Sequence, residues 1–192
     1  MSSMEVRTAS RQDEGRLTAA ILLAFSADPA ARWTYPAPDD YLRHFPEIIG
    51  ALGGRAFDCG TAHFIGDVQA ASLWLPPGVE PDEGAFLDVI HRTIPERDQE
   101  ALFAVIEQMG KYHPHEPHWY LPLIGVDPAV QRRGHGSLLL EHVLATCDRD
   151  GKPAYLESSN PQNIPLYRRH GFEVLGTIQV GTSPPITPML RR

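Results

Sequence analysis

The residues best suited to chemistry lie in one stretch of this 192-residue chain, Gln131-Arg132-Arg133-Gly134-His135-Gly136-Ser137. An apolar run closing on Val126-Asp127-Pro128 precedes it, and Leu138-Leu139-Leu140 follows. The order reads as strand, turn, glycine-bearing loop and helix. No strong capping side chain stands where the helix begins, so its first N–H groups need an acceptor, and an anion supplies one. Gly134 and Gly136 permit close approach of backbone and positive φ. Arg132 and Arg133 add positive charge. The chemistry implied is phosphate binding by main chain. Two common phosphate loops are excluded: no G-x-x-x-x-G-K-S/T occurs, and Leu139 stands where the third glycine of G-x-G-x-x-G belongs. A tight strand-to-helix turn with solvated arginines is the alternative for this loop alone.

A second constellation follows: Tyr155-Leu156-Glu157, then Asn163-Ile164-Pro165-Leu166-Tyr167, then Gly171-Phe172. Pro165 is tolerated only in a first helical turn, which favours Asn163 as the N-cap. Tyr167 lies about one turn further on. An Asn amide and a Tyr hydroxyl then face one crevice. A capping Asn and a packed Tyr are the alternative.

The elements that must position these groups alternate along the chain. Strands are expected at Glu5–Thr8, Thr61–Gly66, Gln69–Leu75, His118–Val126, Ala154–Glu157, Phe172–Val180 and Ile186–Leu190. Pro122 makes the fourth of these irregular, because proline cannot donate to a ladder. A helix capped by Ser10 with Asp13 runs to Asp28-Pro29, and a loop holds Arg32–Pro36. A second helix covers about Asp39 to Leu52, with Pro46 as a kink or late start and Gly53-Gly54 as its stop. Residues 82–112 are mostly helical and are divided at Pro95. Helices over Gly134–Arg149 and residues 164–170 complete the set. An α/β or α+β domain with a mixed sheet follows, one domain over residues 1–192.

Composition narrows the function. Formal charge is −7, which argues against a general nucleic-acid binder. The charge is uneven: residues 1–120 hold nine Lys and Arg against eighteen Asp and Glu, whereas residues 121–192 hold eight against six. An anionic ligand therefore suits the C-terminal third. Two cysteines, Cys59 and Cys147, are too few for a disulfide framework and read as small buried hydrophobes in a reducing compartment. No apolar run suggests a membrane span, and the first residues lack signal-peptide character, so a cytoplasmic location is expected.

Together the two constellations resemble the GNAT N-acetyltransferase superfamily. Gln131-Arg132-Arg133-Gly134-His135-Gly136 satisfies its Q/R-x-x-G-x-G/A signature, a V-x-P strand end precedes it, and Asn163, Tyr167, Gly171 and Phe172 fit N-x-x-x-Y-x-x-x-G-F. The resemblance is strongest over residues 118–175. Within the family, Trp119-Tyr120-Leu121 and Tyr155–Phe172 are similar to puromycin N-acetyltransferase-like members. The resemblance implies a mixed, mostly antiparallel central sheet flanked by helices. It also implies an acetyl-CoA-dependent N-acetyltransferase acting on a primary amine of a small molecule by direct transfer, without a metal. Ile124, Gly125 and Val126 would pair with the pantetheine arm, and the Val126 N–H would polarise the thioester carbonyl. Gln131 and the N–H groups of Arg132, Arg133, Gly134, His135, Gly136 and Ser137 would form the pyrophosphate loop. Asn163 would contact the pantetheine, and Tyr167 would be the general acid. The acceptor must lose a proton before it attacks, which calls for a base. Glu157, at the strand end beside the site, is the first candidate, ahead of Glu116 and His118.

Other features carry less. His113, His115 and His118 with Glu116 have a metal-ligand look, but prolines separate them. His135 is expected to be exposed. Arg32, Trp33, Tyr35 and Tyr41 either border an acceptor pocket or pack a helix–helix loop. Competing functions are a non-catalytic acyl-CoA sensor, a protein acetyltransferase for lysine or N-termini, and a domain for another nucleotide. Membrane and nucleic-acid partners are not expected, and a monomer or a homodimer fits equally well.

Overall fold

The computed structural model describes residues 5–192. Its elements are β1 (Val6–Thr8), α1 (Glu14–Ala24), α2 (Pro29–Thr34), α3 (Pro38–Gly53), α4 (Ala56–Cys59), β2 (Ala62–Ile65), β3 (Ala70–Leu75), α5 (Glu83–Thr93) and α6 (Glu96–Tyr112). There follow β4 (Trp119–Val126), α7 (His135–Asp150), β5 (Ala154–Ser158), α8 (Ile164–Arg169), β6 (Glu173–Val174) and β7 (Thr187–Arg191). The sheet order is β1-β2-β3-β4-β5-β7-β6, and every neighbouring pair is antiparallel except β4 and β5. This is the mixed, mostly antiparallel sheet flanked by helices that the sequence implies.

The two faces bury separate cores. Leu17 and Ile21 of α1, Phe45 and Ile49 of α3, and Val89 and Ile90 of α5 pack with Leu73, Leu123 and Tyr155. On the opposite face Leu140, Val143 and Leu144 of α7 and Tyr167 of α8 pack with Trp74, Leu121 and Leu156. Trp74, Tyr35, Tyr155 and Phe172 are among the largest fully buried side chains. Burying each such aromatic contributes on the order of 2–3 kcal/mol.

Two features of the sheet make room for a site. The parallel pair is short: Trp119 pairs with Ala154 and Tyr120 with Tyr155, after which β4 and β5 part. In addition, β3–β4 pairing slips by one residue, since Leu73 faces Leu123 but Leu75 faces Tyr120. The extra residue lies in the segment that holds Pro122, as its missing donor requires. Because of the bulge, Tyr120 and Leu123 reach the same core although three positions apart.

Several local expectations are corrected. Residues 29–34 are helical, because Asp28 accepts from the N–H groups of Ala30 and Ala31 and Pro29 takes the first helical position. α3 runs through Pro46 without a break. The carbonyl that Pro46 leaves without its helical donor belongs to Leu42, an exposed residue. The strand expected over residues 172–180 is cut to Glu173–Val174 plus one bridge between Ile178 and Ile186. Beyond the cut, Gly176 packs directly against the Tyr112 side chain, where a Cβ would clash with its hydroxyl. Cys147 is buried, but Cys59 ends the short α4 and is exposed. The strand start expected at Glu5 lies at Val6 instead.

Candidate active site

Where β4 and β5 part, a cleft of about 860 Å³ opens. Its walls come from four segments: the end of α1 with the turn into α2, the end of β4, the loop leading into α7, and the β5–α8 connection. α1 reaches β4 because Gly125 has no side chain, since a Cβ there would lie 2.7 Å from the Ala24 Cβ and 3.4 Å from the Ile21 Cα. Close packing at this point sets one wall.

The structure gathers most of the residues expected from sequence around this cleft. Ile124, Gly125 and Val126 line it from the unpaired side of β4. Gln131, Arg132, Gly134, His135, Gly136 and Ser137 line it from the loop and from the first turn of α7. Asn163 and Tyr167 line it from α8. Two expected residues lie elsewhere. Arg133 is exposed and outside the lining residues. Glu157 is also absent from the lining, and its side chain, 5% exposed, belongs to a separate cluster.

The loop geometry follows from its residues. Gln131 donates from its side-chain amide to the Val126 carbonyl at 3.3 Å, tying the loop to the end of β4. Arg132 and Gly134 have φ of 61° and 90°. Gly134 is the N-cap of α7 and no side chain caps the helix. The N–H groups that follow it are therefore open toward the cleft, with the positive end of the helix dipole behind them. The His135 expectation is corrected: the side chain is 7% exposed, and its Nδ1 is buried without a hydrogen-bond partner. It folds under the loop because the first helical turn directs side chains back toward the N-terminus. The uncapped N-terminus of this sixteen-residue helix, open to the cleft, fits an anion such as a pyrophosphate. The Ser137 hydroxyl is already engaged, 3.1 Å from His170 Nε2.

Asn163 occupies the N-cap position of α8, but its side chain makes no capping bond. Asn160 does that work one turn earlier, accepting from the Gln162 N–H at 3.0 Å. The Asn163 amide is thus left to the cleft. Tyr167 is 5% exposed, and burial first, then the nearby Asp28 carboxylate, raise its phenol well above the ordinary value. It holds its proton, as a donor must.

Asp28 was not among the candidates. It lines the cleft, caps α2 and accepts from the Ser159 hydroxyl at 2.6 Å, so it straps the α1–α2 turn to the end of β5. Burial raises its pKa, while the bonds from Ser159, Ala31 and Ala30 oppose that. The dipeptide Asp28-Pro29, a capping residue before a first-turn proline, was the available signal.

The aromatic group after α1 packs rather than lining this cleft. Tyr35 and Tyr41 are each 2% exposed, with hydroxyls on Thr93 and on the Leu22 carbonyl. Arg32 lies over the Tyr41 ring at 5.1 Å, and Trp33 donates to Thr182 at 3.3 Å. No helix among the described residues is long and apolar enough to cross a membrane.

Comparison with known proteins agrees with this geometry. The family described as acetyltransferase (GNAT) matches residues 80–172. An uncharacterised N-acetyltransferase of Schizosaccharomyces pombe is 27% identical over 200 aligned positions, covering 88% of this chain and 74% of its own. A Corynebacterium glutamicum structure described as histone acetyltransferase HPA2 and related acetyltransferase superposes with a TM-score of 0.69 at 23% identity, over 100% of this chain and 96% of its own. A Drosophila melanogaster polyamine N-acetyltransferase that forms N-acetylagmatine gives 0.68 at 15% identity, over 97% and 98%. The last two likenesses are of fold.

Proposed function

We propose that this chain, an acyltransferase of the GNAT superfamily, moves an acetyl group from acetyl-CoA directly to a primary amine of a small molecule. The observation that carries the proposal is one cleft in which an unpaired strand edge, an uncapped helix N-terminus and a buried tyrosine hydroxyl meet. Solved neighbours of the same fold that act on polyamines and agmatine support a small amine as acceptor. The puromycin N-acetyltransferase-like wording of Tyr155–Phe172 points the same way. The acidic N-terminal two-thirds of the chain suits a cationic acceptor.

Each residue has a role in this reading. The N–H groups from Arg132 to Ser137 hold the pyrophosphate, with the Arg132 and Arg133 guanidinium groups adding charge. Ile124, Gly125 and Val126 pair with the pantetheine as an added strand would, and Asn163 bonds to it from α8. The Val126 N–H polarises the thioester carbonyl and stabilises the developing oxyanion. Tyr167 donates its proton to the departing thiolate. Glu157, which lies outside the cleft lining, takes the acceptor's proton through a water relay. Holding amine and thioester together supplies proximity, with no covalent enzyme intermediate. Residues 1–192 serve as one catalytic domain in the cytoplasm, as monomer or homodimer and without a metal.

Calorimetry with acetyl-CoA, comparing the native chain with a Gly134→Asp/Gly136→Asp double variant, tests this. Native protein is expected to bind at micromolar Kd, and the variant about a hundredfold more weakly, because two carboxylates then face the pyrophosphate. Folded native protein that binds no acetyl-CoA would end the proposal.

A further inference from the structure

A charge taken out of water must be answered by an opposite charge or by donors. Asp28 is answered only in part. It is buried, and among the described residues lining the cleft it is the one carboxylate. Its Oδ1 accepts from the N–H groups of Ala30 and Ala31 at 3.0 and 3.1 Å, and its Oδ2 accepts from the Ser159 hydroxyl at 2.6 Å. A carboxylate has about four acceptor positions, so one on Oδ2 is left over. No cation among the described residues pairs with it. Arg32, one helical turn further on, donates to the Pro36 carbonyl at 2.6 Å and lies over the Tyr41 ring. Burial accordingly raises the Asp28 pKa, and only hydrogen bonds, from Ser159, Ala31 and Ala30, oppose it.

The cleft around Asp28 has two kinds of wall. The loop and α7 bring Arg132 and the open helix N-terminus, and α8 adds Arg169, all positive. The α1–α2 turn holds Asp28 among Ala24, Phe25, Ala27 and Pro29, an anion set in carbon. The Asp28 charge acts on the phenol of Tyr167 on α8 and on that of Tyr41 on α3. The Tyr41 hydroxyl is committed to the Leu22 carbonyl, so Tyr167 is the phenol that shares the cleft with Asp28. With the positive wall given to a pyrophosphate, Asp28 is the place left for a cation.

We infer that Asp28 is the docking point for the acceptor's ammonium group, and so the residue that makes this cleft prefer cationic amines with an apolar body over neutral ones. The inference rests on the acetyl-transfer reading and names the acceptor class for it. At neutral pH an alkylamine arrives as an ammonium ion. One of its N–H groups donates to the free position on Oδ2, a charge-assisted bond, and its carbon lies along the apolar turn. Docking there brings the nitrogen to the Tyr167 side of the cleft. Asp28 holds the cation and does not take its proton, which leaves by the relay to Glu157. The neutral amine is then no longer held by charge and is free to attack the thioester. An arylamine, neutral from the start, gains nothing from the carboxylate.

Carboxyl NMR of carbon-labelled protein, with and without CoA, tests the docking directly. Saturating benzylamine is expected to lower the apparent pKa of Asp28 by about one unit or more, because a cation favours the charged form. An Asp28 titration unmoved by benzylamine in both conditions would overturn the inference. Kinetics supply the second arm. Asp28→Asn keeps the cap of α2, since its amide oxygen accepts from the same N–H groups, and removes only the charge. It is expected to raise KM for benzylamine about thirtyfold and to change kcat much less. Its loss of kcat/KM for aniline is expected to be about tenfold smaller than that for benzylamine. Equal losses for the two amines would mark a merely structural role and overturn the inference. Ser159→Ala breaks the strap but keeps the carboxylate, and is expected to preserve the preference for benzylamine. A preference lost equally in Ser159→Ala would assign it to the strap and overturn the role of the charge. A titration moved by benzylamine without turnover of any amine would uphold the docking point and defeat the acetyl-transfer reading instead.

Discussion

The cleft wall from Val126 to Ser137 and the cluster around Glu157 are built from different materials. The first is made mainly of main chain: a strand edge without a partner, two residues at positive φ and a helix start without a cap. The second is made of side chains only, brought together from α6, β4 and β5. Main-chain sites depend on local conformation and tolerate many side chains. Side-chain sites depend on identities at positions far apart in sequence. On the proposed reading the first wall holds the cofactor and the second serves the acceptor, and substitutions should separate them.

The largest expected effect is on the side-chain wall. Glu157→Gln should lower kcat/KM for an amine at neutral pH by about a thousandfold while acetyl-CoA affinity by calorimetry stays within about threefold. Loss of acetyl-CoA binding in that variant would break the division between walls. Next, Tyr167→Phe should lower kcat by about a hundredfold, again with cofactor affinity retained, since in the proposed reaction its hydroxyl protonates the leaving group. An unchanged kcat would remove Tyr167 from the acid role.

A smaller effect tests the strap that joins the two walls. Asp28→Ala removes the cap of α2 and the bond to Ser159. It should cost about 1 kcal/mol in urea denaturation and raise KM for the amine more than Kd for acetyl-CoA. An equal rise in both constants would place the strap wholly on the cofactor side.

The smallest effect sharpens the pH argument. His63 on β2 is 6% exposed, its ring lies 4.6 Å from that of His142 on α7, and burial first, then His142, lower its pKa to about 4. Folded His63 stays neutral where the unfolded chain protonates, below about 6.5. Its contribution is therefore complete above pH 6.5 and is lost as pH falls toward 4. Between pH 7.5 and 5.5 the loss is about 1 kcal/mol, and His63→Gln should reduce it. A pH dependence of stability identical in that variant would assign the effect to other groups.

Much of the cofactor wall was legible because its determinants are local. Glycines at 134 and 136 without a capping residue, and Pro165 beside Asn163, each imply a backbone geometry within one turn of themselves. Pro122 likewise implied the irregularity found as the slip between β3 and β4. The strand after Phe172 ends at Val174, and beyond it Tyr112, from a helix sixty residues earlier, lies against Gly176.

The sequence by itself determined the order of the strands, the glycine-bearing loop before α7 and the presence of a tyrosine one turn into α8. Tertiary structure alone decided that Asn163 is free of its cap, that Asp28 straps the cleft, and that Glu157 lies against His113 rather than in the cleft lining. Helix caps, glycine turns and hydrophobic periodicity act over a few residues, so sequence spacing reports them. Proton placement and pocket walls depend on groups made neighbours by folding, and no spacing along the chain encodes that distance.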